Sequence, residues 1–191
     1  MSTLVVVKKN GVACIAADSV TCFGSNRQLA KYDVYPQKIQ RVGESYLGLV
    51  GSAAHNLVIE SIFAREKRIP TFQNRLMIFE FFRQLHPRLK DEYFLNSQED
   101  EEDPYESSQM DLFIANRYGI FGVYSLREVF EYQRFWAVGS GSEYALGAMY
   151  AVYDQLASVE AIARAGVEAG IEFDDGSAAP VDLYCIDLSK K

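Results

Sequence analysis

The opening of the chain constrains its fold more than any other segment. Thr3-Leu4-Val5-Val6-Val7-Lys8 is a β-branched run that begins with no preamble, and it reads as a strand. Asn10-Gly11 follows, and Val12-Ala13-Cys14-Ile15-Ala16-Ala17 returns. Asn-Gly suits a two-residue type I′ turn, because both central positions need positive φ. A hairpin centred on that pair joins positions whose numbers sum to 21, so Thr3 faces Asp18 and Ser2 faces Ser19. The turn alone therefore sets a carboxylate beside the extreme N-terminus. A slip of one residue would change the face it uses.

The remaining pattern extends this start into layers. Ser19 to Tyr35 reads as a loop punctuated by Gly24, Ser25 and Asn26. Strands are expected over 38–42 and 46–50, joined by Gly43-Glu44. A helix follows over 53–65, with Ala54, Leu57, Val58, Ser61 and Ile62 on one face. Thr71 is the expected cap of a second helix with Leu76, Phe79, Phe82 and Leu85 on its stripe, and Pro87 kinks or ends it. Short strands are expected at 110–114, 119–124, 129–132 and 134–138. Helices then run from Ser142 to about Gln155 and from a Ser158 cap to about Ala169, before a last strand at 180–187. Helices grouped in pairs predict sheets in the middle and helices outside, not an alternating βαβ order. No repeat, low-complexity tract or linker divides residues 1–191, so a single domain is expected. The run Gln98 to Asp103 reads as a solvated acidic loop, with an acidic docking surface as the alternative.

Charge and composition remove several functions. The net charge is −7, so there is no basic excess to neutralise nucleic-acid phosphates or to meet an anionic membrane. The longest stretch without Asp, Glu, Lys or Arg, Ser45 to Ile59, is too short and too polar for a spanning helix. Lys8 and Lys9 follow the first apolar run instead of preceding it, so no signal peptide is expected. Cys14, Cys22 and Cys185 form no CxxC pair and suit small apolar packing in a reducing cytoplasm. With only His55 and His86, both read as surface or cap residues, a His-rich metal site is not expected. Gly139-Ser140-Gly141 lacks the third glycine of a dinucleotide loop, since position 144 is Tyr144. Gly43-Glu44-Ser45-Tyr46-Leu47 fails as a nucleophile elbow, because Leu47 replaces the last glycine and a strand follows.

The N-terminus carries the chemistry. Ser2 is small, so an aminopeptidase removing Met1 would leave a serine with a free α-amine at the head of a strand. One residue then holds a hydroxyl nucleophile and its base. An α-amine has an ordinary pKa of about 7.7–8.0, suited to taking the hydroxyl proton near neutrality without histidine.

Ser2-Thr3-Leu4-Val5, Asn10-Gly11-Val12, Ile15-Ala16-Ala17-Asp18-Ser19 and Gly24 resemble the opening of proteasome β-type and HslV-type peptidases, which are N-terminal-nucleophile (Ntn) hydrolases. The resemblance continues through Lys38-Ile39, Gly51-Ser52-Ala53-Ala54 and Val138-Gly139-Ser140-Gly141 to Val181-Asp182-Leu183-Tyr184. It is strongest toward the small bacterial proteasome homologues, the β-proteobacterial lineage included. It implies an α+β fold, a four-layer αββα sandwich of two facing antiparallel sheets flanked by helices.

Residue by residue, the resemblance makes Ser2 the nucleophile where threonine is usual. Asp18 becomes the acid, and Lys38 the cation that lowers the amine's pKa and stabilises the serine oxygen. It makes Gly51 the oxyanion donor and Ser140 the serine near the amine. Asp174 and Ser177 match the acid and serine before the last strand, while an ungapped register would put Ile171 at the acid position. An ion pair is the ordinary alternative for Asp18 and Lys38, and a turn for Asp174 and Ser177. Thr21, Cys22, Leu49 and Ala53 fall at substrate-binding positions, small and apolar. The implied activity is endopeptidase cleavage of unfolded polypeptides inside stacked hexameric or heptameric homo-oligomeric rings. It needs no metal or other cofactor and allows an ATP-dependent unfoldase ring as separate partner. Nucleic acid and membrane are not among the implied partners, and the cytoplasm is the expected location. Two alternatives remain: a catalytically inert β-type ring protein with a structural or binding role, and an Ntn amidohydrolase of small molecules. A retained Met1 would block the amine and favour the inert form.

Overall fold

A computed structural model of the chain describes residues 2–98 and 100–189; Met1, on whose removal the amine depends, lies outside them. In chain order the first half contains β1 (Leu4–Lys9), β2 (Val12–Ala17), β3 (Thr21–Phe23), β4 (Asn26–Gln28), β5 (Ile39–Val42), β6 (Ser45–Gly51), α1 (Ala53–Arg65) and α2 (Arg75–Asp91). The second half contains β7 (Met110–Asn116), β8 (Gly119–Val123), β9 (Val129–Glu131), β10 (Phe135–Val138), α3 (Ser142–Tyr153), α4 (Val159–Phe173) and β11 (Asp182–Asp187).

The first hairpin forms in the register its turn sets. Asn10 and Gly11 have φ of 52° and 79°, Lys9 pairs with Val12, and Leu4 pairs with Ala17. β10 adds beside β1 and β11 beside β2, giving an antiparallel sheet ordered β10-β1-β2-β11. The second sheet is the antiparallel meander β5-β6-β7-β8-β9.

Strand alternation sorts the apolar residues into three cores. Leu4, Val6, Ile15 and Ala17 of the first sheet meet Ile39, Val50, Phe113 and Ile120 of the second. Val5, Val7, Cys14 and Ala16 face the other way, against Ala145, Met149, Ile162 and Val167 of α3 and α4. Leu47, Leu49, Leu112 and Ile114 pack against Ile59, Ile62, Phe82 and Leu85 of α1 and α2. The order is helices, sheet, sheet, helices: the four-layer αββα sandwich that the sequence predicts. Both faces of each sheet are covered, so β1 reads as a continuous apolar run instead of an alternating one.

Local expectations fail at identifiable points. The segment after Asp18 is not all loop, because β3 and β4 form a small antiparallel ribbon. The cap of α2 is Asn74, whose side chain accepts the Met77 amide at 3.0 Å, and not Thr71. Pro87 neither ends nor splits α2, which continues to Asp91 with Leu85, His86 and Leu89 buried around the proline. The buried face of α1 is His55, Ile59, Ile62 and Phe63, while Leu57 is 70% exposed. α2 likewise turns Leu76 outward, with Ile78 taking its place inside. α4 runs to Phe173, beyond the expected Ala169. Cys14 is buried, Cys22 half-buried and Cys185 exposed; Cys14 and Cys185 are cross-strand neighbours with sulfurs 3.1 Å apart.

Candidate active site

Even-numbered residues of β1 point between the sheets and odd-numbered ones toward α3 and α4. Ser2 precedes β1 on the even side, and its hydroxyl reaches a residue of the opposite sheet. Lys38, one residue before β5, donates from Nζ to Ser2 Oγ at 2.9 Å and to Asp18 Oδ1 at 2.7 Å. All three groups are buried: Ser2 is 6% exposed, Lys38 7% and Asp18 0%. Burial pushes the Lys38 ammonium below the ordinary lysine value, while the Asp18 carboxylate, Cys22 and Asp174 pull it back up.

Asp18 is held from several sides. Its Oδ1 accepts the Thr3 amide at 2.9 Å, and its Oδ2 accepts the amides of Val20 and Ala178, each at 3.1 Å. A carboxylate with three backbone donors and an ammonium is fully occupied, so its orientation toward Lys38 is fixed.

A second cluster gathers on the nitrogen side of Ser2. The backbone N–H of Ser2 donates to Ser140 Oγ at 3.0 Å, and Ser140 Oγ donates to Asp174 Oδ2 at 2.9 Å. Ser177 Oγ donates to the same Oδ2 at 2.7 Å. Ser140 stands in the turn between β10 and α3, and Asp174 is the C-cap of α4. Ile171, the alternative acid position, is within α4 and packs into the apolar core beneath it. Ser140 is exposed and Asp174 half-exposed, so this cluster meets solvent, whereas Lys38 and Asp18 are buried.

Gly51 ends β6, opposite Met110, with φ of 136°. Two residues earlier, the Leu49 amide donates to the Lys38 carbonyl at 3.3 Å, which ties this strand end to the lysine. A side chain at Gly51 would adopt a strained backbone and set its Cβ 3.0 Å from the Gln109 carbonyl oxygen. The exposed segment Gly51 to Ala54 leads into α1, whose N-cap Ser52 accepts the Ala54 amide.

The expected substrate positions are divided between elements. Thr21 and Cys22 lie half-buried on β3, opposite Gln28 and Arg27. Ala53 opens α1 and is exposed, whereas Leu49 is buried on the α1–α2 face of its sheet.

Three features near the site have no counterpart in the sequence. Thr3 turns its hydroxyl toward Ser177 at 2.7 Å. Arg27 donates to the Ser177 carbonyl at 2.9 Å. The amides of Val20 and Ala178 complete the shell of Asp18. Strand alternation could have pointed Thr3 away from Ser2, but nothing local names its partner. His55, expected at the surface, is only 7% exposed beside Gly51; its Nδ1 has no hydrogen-bond partner among the described residues. His86 is likewise buried, at 8% exposure, between Glu106 and Arg127.

No protein-family model matches the sequence, and no curated protein does. Solved structures do. The BPH of Thiobacillus denitrificans is 43% identical, with a TM-score of 0.94 over 99% of this chain and 100% of that one. The same bacterium's BPH in complex with epoxomicin is 42% identical, with a TM-score of 0.93 over 98% of this chain and 100% of that one. The eukaryotic HslV of Trypanosoma brucei is 17% identical, with a TM-score of 0.64 over 97% and 99% of the two chains; at that identity the likeness is one of fold.

Proposed function

The chain belongs to the proteasome β-type family, alongside bacterial BPH, and from that premise we propose that it is an Ntn endopeptidase with Ser2 as nucleophile. One observation carries the reading: both functional groups of Ser2 are engaged separately. Its oxygen meets the Lys38 ammonium at 2.9 Å, and its nitrogen meets Ser140 at 3.0 Å.

In the proposed reaction, removal of Met1 frees the α-amine. Ser2 Oγ attacks the scissile carbonyl while the amine takes its proton. The Lys38 ammonium stabilises the developing alkoxide, and the Gly51 N–H receives the carbonyl oxygen as it becomes an oxyanion. The amine passes its proton to the leaving nitrogen, which departs as a new N-terminus. An ester to Ser2 remains. Water, deprotonated by the same amine, attacks that ester, and Ser2 is restored. Ser140 accepts an N–H of the amine and, anchored on Asp174, keeps its lone pair turned toward the hydroxyl. Ser140 is exposed beside the amine, which supports entry of the second substrate, water, from there.

Unfolded polypeptide is the proposed substrate, cleaved within stacked hexameric or heptameric rings of identical subunits in the cytoplasm, with a separate ATP-driven unfoldase as partner. Thr21, Cys22, Leu49 and Ala53 are proposed to contact the substrate. The proposed chemistry uses neither metal nor organic cofactor. No helix among the described residues is long and apolar enough to cross a membrane.

The test compares wild type with Ser2→Ala. The expected result is an N-terminus at Ser2 by mass spectrometry, a covalent adduct with epoxomicin on wild type alone, and peptide hydrolysis abolished by the substitution. Particle mass in the same sample reads the ring. A stable Met1, no adduct and equal rates would instead make this an inert member of its family.

A further inference from the structure

Ser2 and Thr3 are neighbours in an extended segment, so their side chains leave on opposite faces. Ser2 faces the other sheet, and Thr3 faces α3 and α4. Thr3 is 0% exposed there. Its hydroxyl fills a slot kept open by two glycines: a Cβ on Gly141, at the head of α3, or on Gly170, within α4, would overlap Thr3 Oγ1. A polar group in such a slot needs a partner. The partner is Ser177 Oγ, 2.7 Å away.

The direction of that bond follows from counting protons. Ionised Asp174 only accepts. Ser140 and Ser177 each have one hydroxyl proton, and each gives it to Asp174 Oδ2. Ser177 Oγ is then the acceptor for Thr3 and Ser140 Oγ the acceptor for Ser2 N. The hydrogen bonds run from both ends toward one carboxylate. The circuit passes from Ser2 N through Ser140, Asp174 and Ser177 to Thr3 Oγ1, and a peptide bond closes it back to Ser2.

We propose that Thr3 is a positioning residue for the Ser2 α-amine, acting through its hydroxyl. This inference rests on the reading of Ser2 as nucleophile. Donation from Thr3 polarises the Ser177 hydroxyl and strengthens its bond to Asp174. Asp174 is thereby more fully neutralised, and Ser140 is held where it can receive the amine. Without the Thr3 hydroxyl, Asp174 keeps more of its charge near the amine. The amine's pKa rises, and less of it is neutral base at working pH.

The experiment measures hydrolysis of a fluorogenic peptide by the assembled, processed protein across pH. The variants are Thr3→Val, Thr3→Ser and Ser2→Ala, each checked for particle mass and melting temperature. Thr3→Val keeps the shape of the side chain and removes the donor. It is expected to lower kcat by about 10–100-fold, leave KM within about twofold, and move the acid limb of the kcat profile to higher pH. Thr3→Ser keeps the donor and is expected to retain the wild-type acid limb and most of kcat. A Thr3→Val enzyme with wild-type kcat and acid limb overturns the inference. So does a Thr3→Ser enzyme as impaired as Thr3→Val, which would make the methyl group's packing the cause. If Thr3→Val does not assemble, Thr3→Ala, which cannot overfill the slot, is judged by the same criteria. Ser2→Ala separates the two levels: wild-type rates there overturn the nucleophile itself, while an inactive Ser2→Ala beside an unaffected Thr3→Val overturns only the role of Thr3.

Discussion

Asp18 lies across the first hairpin from Thr3, and its carboxylate accepts the Thr3 amide at 2.9 Å. The next pair down the ladder is Leu4 with Ala17, so this contact continues a strand pairing beyond its last rung. The oxygen that receives the amide also receives the Lys38 ammonium. A local turn and a long-range ion pair thus meet on one atom, and the chemistry proposed for Ser2 depends on both.

The two members of that ion pair should not be equivalent in stability. Asp18→Ala leaves the Lys38 ammonium and the amides of Thr3, Val20 and Ala178 without their acceptor. Stranding one buried charge costs about 3–5 kcal/mol, and each stranded amide adds about 1–3 kcal/mol. Lys38→Met leaves a carboxylate that still holds three amides, so it should cost less. Urea denaturation should rank wild type above Lys38→Met and Lys38→Met above Asp18→Ala. The reverse order of the two variants would show that the amides contribute little.

On the proposed mechanism, Lys38 should also set an alkaline limit on activity. Burial lowers its pKa below the ordinary lysine value, and the proposed role needs the protonated form. Hydrolysis should therefore decline as pH rises through that lowered value, before an ordinary lysine would titrate near 10.4. In Lys38→Arg the guanidinium stays charged, so whatever activity remains should lack this limb. An unchanged limb in Lys38→Arg would assign it to another group.

Gly51→Ala tests the proposed oxyanion donor. At φ of 136°, with its Cβ 3.0 Å from the Gln109 carbonyl, an alanine is strained by about 1–3 kcal/mol. Relief of that strain should turn the residue 51 amide. A drop of about 10²–10³-fold in kcat is expected, with the melting temperature lowered only modestly. Undiminished kcat would place the oxyanion elsewhere.

Two buried histidines should make the fold acid-sensitive. Arg127 Nη1 donates to His86 Nδ1 at 3.3 Å, so Nε2 carries the proton toward Glu106 Oε2, 3.1 Å away. The ring is neutral in this arrangement, and burial lowers its pKa, as it does for His55. The unfolded chain takes up these protons near pH 6.5 and the folded chain only at lower pH. Below about pH 6.5 the unfolded state binds more protons, and stability falls as pH drops through that window. Melting temperatures from pH 8 to pH 5 should decline, and less steeply in His86→Gln. Parallel curves for the two proteins would remove His86 from the account.

Much of the layered order was legible because its causes are local. Asn10-Gly11 dictates a turn, the turn a register, and the register the approach of Asp18 to Thr3. Helix faces were harder to read. Periodicity selects a stripe by apolar content, yet α1 buries His55 and exposes Leu57, because the surface it meets decides which stripe is covered. Pro87 removes one helical hydrogen bond, but the burial of Leu85 and Leu89 on either side keeps α2 continuous. Ser140, Asp174 and Ser177 could be named only through the resemblance, which says nothing of where their protons point. The slot for Thr3 left no trace in the sequence, since glycines in a helix and a turn look ordinary until two layers close on them.

The sequence by itself determined the hairpin, its register and the pairing of helices. Those follow from backbone dihedrals and side-chain periodicity, which act over a few residues. Tertiary packing alone decided that Lys38 of one sheet reaches Ser2 and Asp18 of the other, and that Ser140 and Asp174 gather at the Ser2 nitrogen. Such contacts join residues far apart in the chain. They exist only where burial of three apolar cores fixes the layers closely enough for hydrogen bonds to form between them.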